Sequence, residues 1–306
     1  MIEIKENYSL KNHSTFRIGG IVEKIAFPET IDELVILLKS KEYDIVLGNC
    51  SNVLFSSDKI NKKIILTNKI DSFSFNGNKL NVCCGAKGPI ISNECKNRNL
   101  SGFEFMIGFP ASFGGMICMN ASAHNQAISD TFLSAKVYNL KTNNIETFTK
   151  EEMNFSYRNS KLSCGNYIVL EAEFLLKDGK QEQITELMDR NTEFRKTRQP
   201  SLKYGNAGSI FKNPENDSAG RLLDLCEMKG EKEGGAEVFE KHANFILNKN
   251  NATSKDVLTL MYKMYSKVRE KYTIELQPEV KYIGDEGTQE YKLWKIMTEN
   301  IQTTQK

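Results

Sequence analysis

The first stretch with a clear hydrophobic period lies at residues 30–38. Thr30 stands three residues before Glu33, the spacing at which a hydroxyl and a carboxylate cap a helical first turn. Leu34, Leu37 and Leu38 then fall on one helical face. Residues 43–47 form a short apolar run of strand length. It ends in the small, polar turn Gly48-Asn49-Cys50-Ser51-Asn52, and 63–66 reads as a further strand. This is a β-α-β beginning, with a boundary suggested near residues 60–65. The middle of the chain predicts a helix over 89–99, strands over 135–140 and 167–176, and between them a long run of small residues. The charged, helix-patterned segment 182–198 reads as a connector. After Gln199-Pro200 come a strand at 243–247 and a helix over 254–271, capped by Thr253 and carrying Val257, Met261, Met264 and Val268 on one face. Residues 276–280 read as an edge strand or turn carrying one acid. The tail beyond Asp285 is polar apart from Trp294 and reads as a loosely docked helix. The fold class expected is mixed α/β (α+β).

Composition narrows the function classes. The 41 basic and 39 acidic residues nearly cancel, which argues against a nucleic-acid footprint but leaves room for a local anion site. No apolar run approaches the length of a membrane span. The start of the chain lacks the apolar core of a signal peptide, and the expectation is a cytoplasmic protein. Seven cysteines show no C-x-x-C spacing and the three histidines are far apart, so no metal site is expected.

Chemistry concentrates in a few places. Two small-residue turns, 48–52 and 108–115, occur in separate stretches of mixed α/β pattern. Successive small residues let backbone N–H groups converge on an anion, and two such turns suit a dinucleotide pyrophosphate. No G-x-G-x-x-G follows the first strand and no P-loop is present, so a Rossmann nicotinamide domain or a P-loop kinase is unsupported. Ser209 sits between Ala207-Gly208 and Asn213-Pro214, with Lys212 close by. Arg158 follows Tyr157, and Glu279 lies between Pro278 and Val280, where partial burial would raise its pKa. Each has a plain structural alternative: a turn serine, an arginine stacked on Tyr157, an exposed strand charge. Pattern alone does not bring the three together, and stops at a mixed α/β protein with a phosphate-bearing ligand.

The chain resembles the flavin-dependent UDP-N-acetylenolpyruvoylglucosamine reductases. The matching stretches, in order, are Asn12–Gly20, Leu47–Leu54, Gly102–Pro110, Gly114-Gly115, Met119–Ala121, Ser156-Tyr157-Arg158, Arg198-Gln199-Pro200, Ala207–Pro214, Lys241–Ile246 and Pro278-Glu279-Val280. The resemblance implies FAD-binding subdomains at 1–63 and 64–196, in the manner of the vanillyl-alcohol-oxidase-type flavoproteins. It also implies an α+β substrate domain at 197–285, followed by a tail, 286–306. FAD, non-covalent, is implied at Gly48, Asn49, Cys50, Ser51, Asn52, Gly108, Pro110, Ser112, Gly114, Gly115, Asn120 and Ala121. NADPH would reduce it, and the enolpyruvyl group of a UDP-sugar would then be reduced. Arg158 and Glu279 would face the substrate carboxylate, Ser209 would supply a proton to carbon, and Arg198, Lys212 and Asn213 would hold the UDP pyrophosphate.

The short Arg158–Ser209 spacing is similar to that of the shorter subtype, which lacks a substrate-covering tyrosine loop. The chain departs from the family's usual pattern at Cys50 and Ala111, where Gly is usual, and at Phe239, where Ser is usual. It departs again at Ser122-Ala123-His124-Asn125-Gln126-Ala127, which replaces Gly-Ala-Tyr-Gly-Gly-Glu. Another flavin oxidoreductase of the same fold, or a non-catalytic nucleotide-sugar-binding protein, are the alternatives to an active reductase.

Overall fold

Thr30 starts the helix Ile31–Ser40, its hydroxyl accepting from the Glu33 N–H at 3.2 Å. The Glu33 carboxylate reaches one residue further back than a capping box requires and accepts from the Glu29 N–H at 2.8 Å. Leu34, Leu37 and Leu38 are buried, as their spacing dictates. The structure is a computed structural model and describes residues 1–201 and 203–299. The chain forms two compact units. The first takes residues 1–5, 24–49 and 63–195, and the second takes 6–23, 50–62 and 196 onward. Each is thus assembled from separated stretches, whereas the ranges read from sequence run consecutively. Residues 60–65, where the pattern suggests a boundary, lie inside the strand Ile60–Leu66.

In the first unit, Ile45–Leu47 runs parallel to Ile60–Leu66, with Ile45 opposite Ile64 and Leu47 opposite Leu66. A five-stranded antiparallel sheet follows, in the spatial order Asn144–Thr149, Phe132–Asn139, Tyr167–Leu175, Lys79–Cys83, Phe73–Asn76. Along Tyr167–Leu175 the alternation is plain: Leu170, Ala172 and Phe174 are buried, and Glu171 and Glu173 point the other way. The short helix Phe113–Cys118 packs on this sheet through an aromatic cluster. Phe174 meets Phe103, Phe113 and Phe132 edge-on at 5.2, 5.5 and 5.6 Å between ring centres. The helix Gly88–Asn97 starts with Pro89 in its first turn, where a missing N–H costs nothing. The segment read as a connector is the helix Gln181–Arg198, and it is more than a spacer. It buries Ile184, Met188 and Asn191 at successive turns, and Asn191 Nδ2 donates to the Glu104 carbonyl at 3.2 Å.

In the second unit, the helix Ser254–Tyr272 is capped reciprocally by Thr253 and Asp256. Its Val257, Met261, Met264 and Val268 are fully buried. A three-stranded antiparallel sheet comprises Lys232–Glu233, Ala236–Val238 and Ile246–Asn248. The strand expected at 243–247 starts later, at Ile246, because Asn244 clamps a neighbouring loop. Lys281–Ile283 runs parallel to Val53–Phe55. The tail is not loosely docked: the helix Gln289–Glu299 buries Met297. Its Glu290 carboxylate accepts from Ser254 Oγ at 2.7 Å, Ser56 Oγ at 2.9 Å and Tyr282 OH at 2.5 Å. Residues 300–306 of that tail lie outside the described residues. Among the described residues no helix is long and apolar enough to cross a membrane.

Candidate active site

Ser209 lies in the second unit between residues that cannot move freely. Ala207, Ile210 and Phe211 are buried. Gly208 has φ +77°, the left-handed region that favours glycine, and its N–H donates to Asn206 Oδ1 at 3.1 Å. On the other side, Asn244 holds the loop three times. Its carbonyl accepts from the Ile210 N–H at 2.9 Å, its Oδ1 accepts from the Phe211 N–H at 2.9 Å, and its Nδ2 donates to the Phe211 carbonyl at 2.8 Å. The Ser209 hydroxyl makes no hydrogen bond among the described residues. The backbone is fixed and the hydroxyl is open.

Glu279 is joined to the same frame. Its N–H donates to the Ile210 carbonyl at 2.7 Å, Phe211 bridges Pro278, and the Lys212 N–H donates to the Gln277 carbonyl at 2.8 Å. The Glu279 carbonyl accepts from Asn52 Nδ2 at 2.9 Å, and the Lys281 N–H donates to the Asn52 carbonyl at 2.9 Å. Ser209, Lys212, Glu279 and Asn52 are therefore brought together. Glu279 is half-buried between buried Pro278 and Val280 and is not an exposed strand charge. Ser51 contributes its carbonyl, which accepts from Thr15 Oγ1 at 3.4 Å. Cys50 has φ +48°, which accounts for the usual glycine there. Its side chain is buried, and burial pushes the thiol pKa up to about 12.

Asn213 Oδ1 caps the short helix Ala219–Leu225, accepting from the Ala219 N–H at 3.1 Å. Arg198 is exposed and adds, with Lys229, to the burial that holds His242 below its ordinary pKa.

In the first unit Gly48 and Asn49, which begin one small-residue turn, touch the other. Asn49 Nδ2 donates to the Pro110 carbonyl at 2.5 Å, and the Asn49 N–H donates to Ser112 Oγ at 3.4 Å. A Cβ at Gly48 would stand 2.0 Å from Ser112 Oγ, so only glycine permits this approach. Gly114 lies close under Cys84, a Cβ there meeting the Cys84 Cβ at 3.2 Å, while Gly115 has ordinary room. Ala111 is accommodated without positive φ. Neither turn carries an acidic side chain, so nothing in them repels a pyrophosphate.

Asn120, at φ +42°, donates through Nδ2 to the Ser156 carbonyl at 3.0 Å, beside Arg158. Ala121 closes the turn, its N–H donating to the Met116 carbonyl at 2.9 Å. Arg158 lies over the Tyr157 ring at 5.1 Å and donates through Nη1 to Ser122 Oγ at 2.7 Å. Thus the replaced segment supplies an acceptor to Arg158. Its His124 and Asn125 make a tight turn with φ +52° and +60°, the left-handed region, which suits an asparagine, or the usual glycine, at position 125.

Sequence reasoning missed Asn244 and Ser122. Asn244 stands in a stretch quoted for the resemblance, which was the available signal. Ser122 stood out only as a departure.

Fold and site define a mixed α+β protein with paired small-residue turns, suited to a nucleotide ligand, and a fixed serine with an open hydroxyl. Residues 199–283 match the family described as UDP-N-acetylenolpyruvoylglucosamine reductase, C-terminal domain. The chain is 40% identical over 290 residues to the UDP-N-acetylenolpyruvoylglucosamine reductase of Caldicellulosiruptor bescii, covering 93% of this chain and 92% of that one. It is 37% identical to that of Enterococcus faecalis, covering 90% and 93%. The crystal structure of UDP-N-acetylenolpyruvylglucosamine reductase from Thermus caldophilus superposes with a TM-score of 0.78 at 31% identity, covering 92% and 98%. The chain belongs to the UDP-N-acetylenolpyruvoylglucosamine reductase family.

Proposed function

We propose that the chain is an NADPH-dependent flavoenzyme of peptidoglycan precursor synthesis, acting in the cytoplasm. It reduces the enolpyruvyl group of UDP-N-acetylglucosamine enolpyruvate to give UDP-N-acetylmuramate. Family membership supports the reading. The observation that carries it in this chain is the open Ser209 hydroxyl, one residue from the Ile210 carbonyl that receives the Glu279 N–H.

FAD fits the turns: they are free of acids, and Gly48 and Asn49 bring the first against Pro110 and Ser112 of the second. The residues that would hold it are those of the 48–52 and 108–115 turns, with Asn120 and Ala121, in a module of the vanillyl-alcohol-oxidase type. When bound, FAD would supply hydride equivalents from NADPH, two electrons with one hydrogen, to the terminal vinyl carbon.

The chain's own side chains do the rest. Reduction of the vinyl group places negative charge on the adjacent carbon and the substrate carboxylate. Arg158 offers a fixed planar cation to that carboxylate, and Glu279 offers a hydrogen bond to the same charge when protonated. Ser209 gives a proton to the carbon. A serine hydroxyl is a weak acid, and its held backbone supplies the proximity this step needs. Arg198, Lys212 and Asn213 bind the UDP pyrophosphate, Asn213 while capping its helix.

The test is the fate of the NADPH-reduced protein under anaerobic conditions. Reoxidation by the enolpyruvyl sugar nucleotide, with UDP-N-acetylmuramate formed, is expected. Protein that binds no FAD, or that is reoxidised by oxygen and not by the sugar nucleotide, would overturn the reading.

A further inference from the structure

Arg195 stands near the end of the Gln181–Arg198 helix, and its side chain runs over Gly108 in the first unit. A Cβ at Gly108 would stand 2.5 Å from Arg195 Nε and 2.6 Å from Cδ. The guanidinium lies 5.2 Å from the centre of the Phe109 ring. Among the described residues it has no ion pair and no hydrogen bond. Burial alone pulls its pKa from 12.5 down to about 10.

A half-buried cation without a counter-ion is disfavoured relative to one in water. Stacking on Phe109 occupies a guanidinium face but leaves the in-plane N–H donors open to a ligand. The surroundings add positive charge. Arg190 also has no acid partner among the described residues. After burial, Arg195 and Arg190 hold the His124 pKa below its ordinary value, and the His124 ring packs edge-on against Phe194 at 5.1 Å. An anion at this point of the 108–115 turn would meet a planar donor fork, the geometry that pairs bidentately with phosphate.

We propose that Arg195 is an anion-binding residue of the 108–115 turn, its guanidinium taking a phosphate group of a nucleotide ligand. The proposal rests on the reading that this turn faces FAD and the nucleotide co-substrates. The phosphate belongs to FAD itself, or to NADPH or the UDP-sugar that follows it.

The test uses the flavin-loaded full chain. Arg195→Met keeps length and contact with Phe109 but removes the charge, and Arg195→Lys keeps the charge. FAD affinity is read from flavin fluorescence released on stepwise dilution, at low and high salt. NADP⁺ and UDP affinities are read by titration of the loaded protein. Arg195→Met is expected to weaken one of the three by about 10- to 100-fold, the size of a lost charge-assisted hydrogen bond. The ligand affected identifies the source. Arg195→Lys, which keeps the charge but not the fork, should recover part of the loss, and the wild-type advantage should shrink with salt. Unchanged affinity for all three ligands in Arg195→Met would overturn the proposal. An equal loss in the Met and Lys variants would also overturn it, because shape rather than charge would then be responsible. If the wild-type chain itself binds no FAD, the proposed function fails first. If it binds FAD and turns over while Arg195→Met is unchanged, only the Arg195 proposal fails.

Discussion

The backbone N–H of Glu279 donates to the carbonyl of Ile210 at 2.7 Å, and Ile210 directly follows Ser209. Two residues distant in sequence are thereby set in one hydrogen-bonded frame. Asn52 Nδ2 on the Glu279 carbonyl closes the frame from the other side. The acid and the hydroxyl do not depend on touching each other to be positioned, because their main chains are held.

Asn244 is the keystone of that frame. It is 3% exposed, and its side chain satisfies both the N–H and the carbonyl of buried Phe211. Asn244→Ala leaves both groups unpaired, each costing about 1–3 kcal/mol. Urea denaturation should show a loss of about 2–6 kcal/mol. A loss below about 0.5 kcal/mol, the level of an ordinary surface substitution, would mean that the loop is held otherwise.

Much of this was readable in the sequence wherever a local signal existed. Thr30 and Thr253 announced their helices because capping is a short-range pattern. Val257, Met261, Met264 and Val268 announced a buried face because the helical period is. The strand expected at 243–247 was displaced because Asn244 is spent on a tertiary clamp, which no propensity encodes. The tail looked loosely docked because its anchor, Glu290, is a single acid. Its partners Ser56, Ser254 and Tyr282 come from three distant stretches. The candidate site residues are proposed through motif resemblance. Their spacing alone did not relate Ser209 to Glu279, since a β-bridge between loops leaves no periodic trace.

Ser122 supplies an acceptor for Arg158 where the family usually has glycine. Ser122→Gly removes the 2.7 Å bond to Nη1. The reduced protein should then react with the enolpyruvyl substrate about tenfold more slowly, the equivalent of about 1.4 kcal/mol. Reduction by NADPH should be unchanged. An unaltered substrate half-reaction in stopped flow would show that stacking on Tyr157 and the remaining contacts orient Arg158 without Ser122.

Glu290 gathers three hydroxyls under the C-terminal helix. Burial, with the Glu290 hydrogen bond, pushes the Tyr282 pKa up, so the phenol stays a donor to the carboxylate. Glu290→Ala should lower the unfolding free energy by about 2–4 kcal/mol. It should also speed amide exchange in Gln289–Glu299. Glu290→Gln, which still accepts, should lose less. Exchange at wild-type rates in the alanine variant would show that Met297 and its apolar neighbours dock the helix alone.

The most direct measurement separates the two half-reactions of Ser209→Ala by anaerobic stopped flow. In the proposed mechanism the hydroxyl acts only after the electrons have reached the substrate. Reduction of the FAD-loaded variant by NADPH should therefore proceed at nearly the wild-type rate. Reoxidation by the enolpyruvyl sugar nucleotide should slow by about 10²- to 10⁴-fold, the range of a lost acid–base group. Equal slowing of both half-reactions, or reoxidation at the wild-type rate, would contradict the role assigned to Ser209.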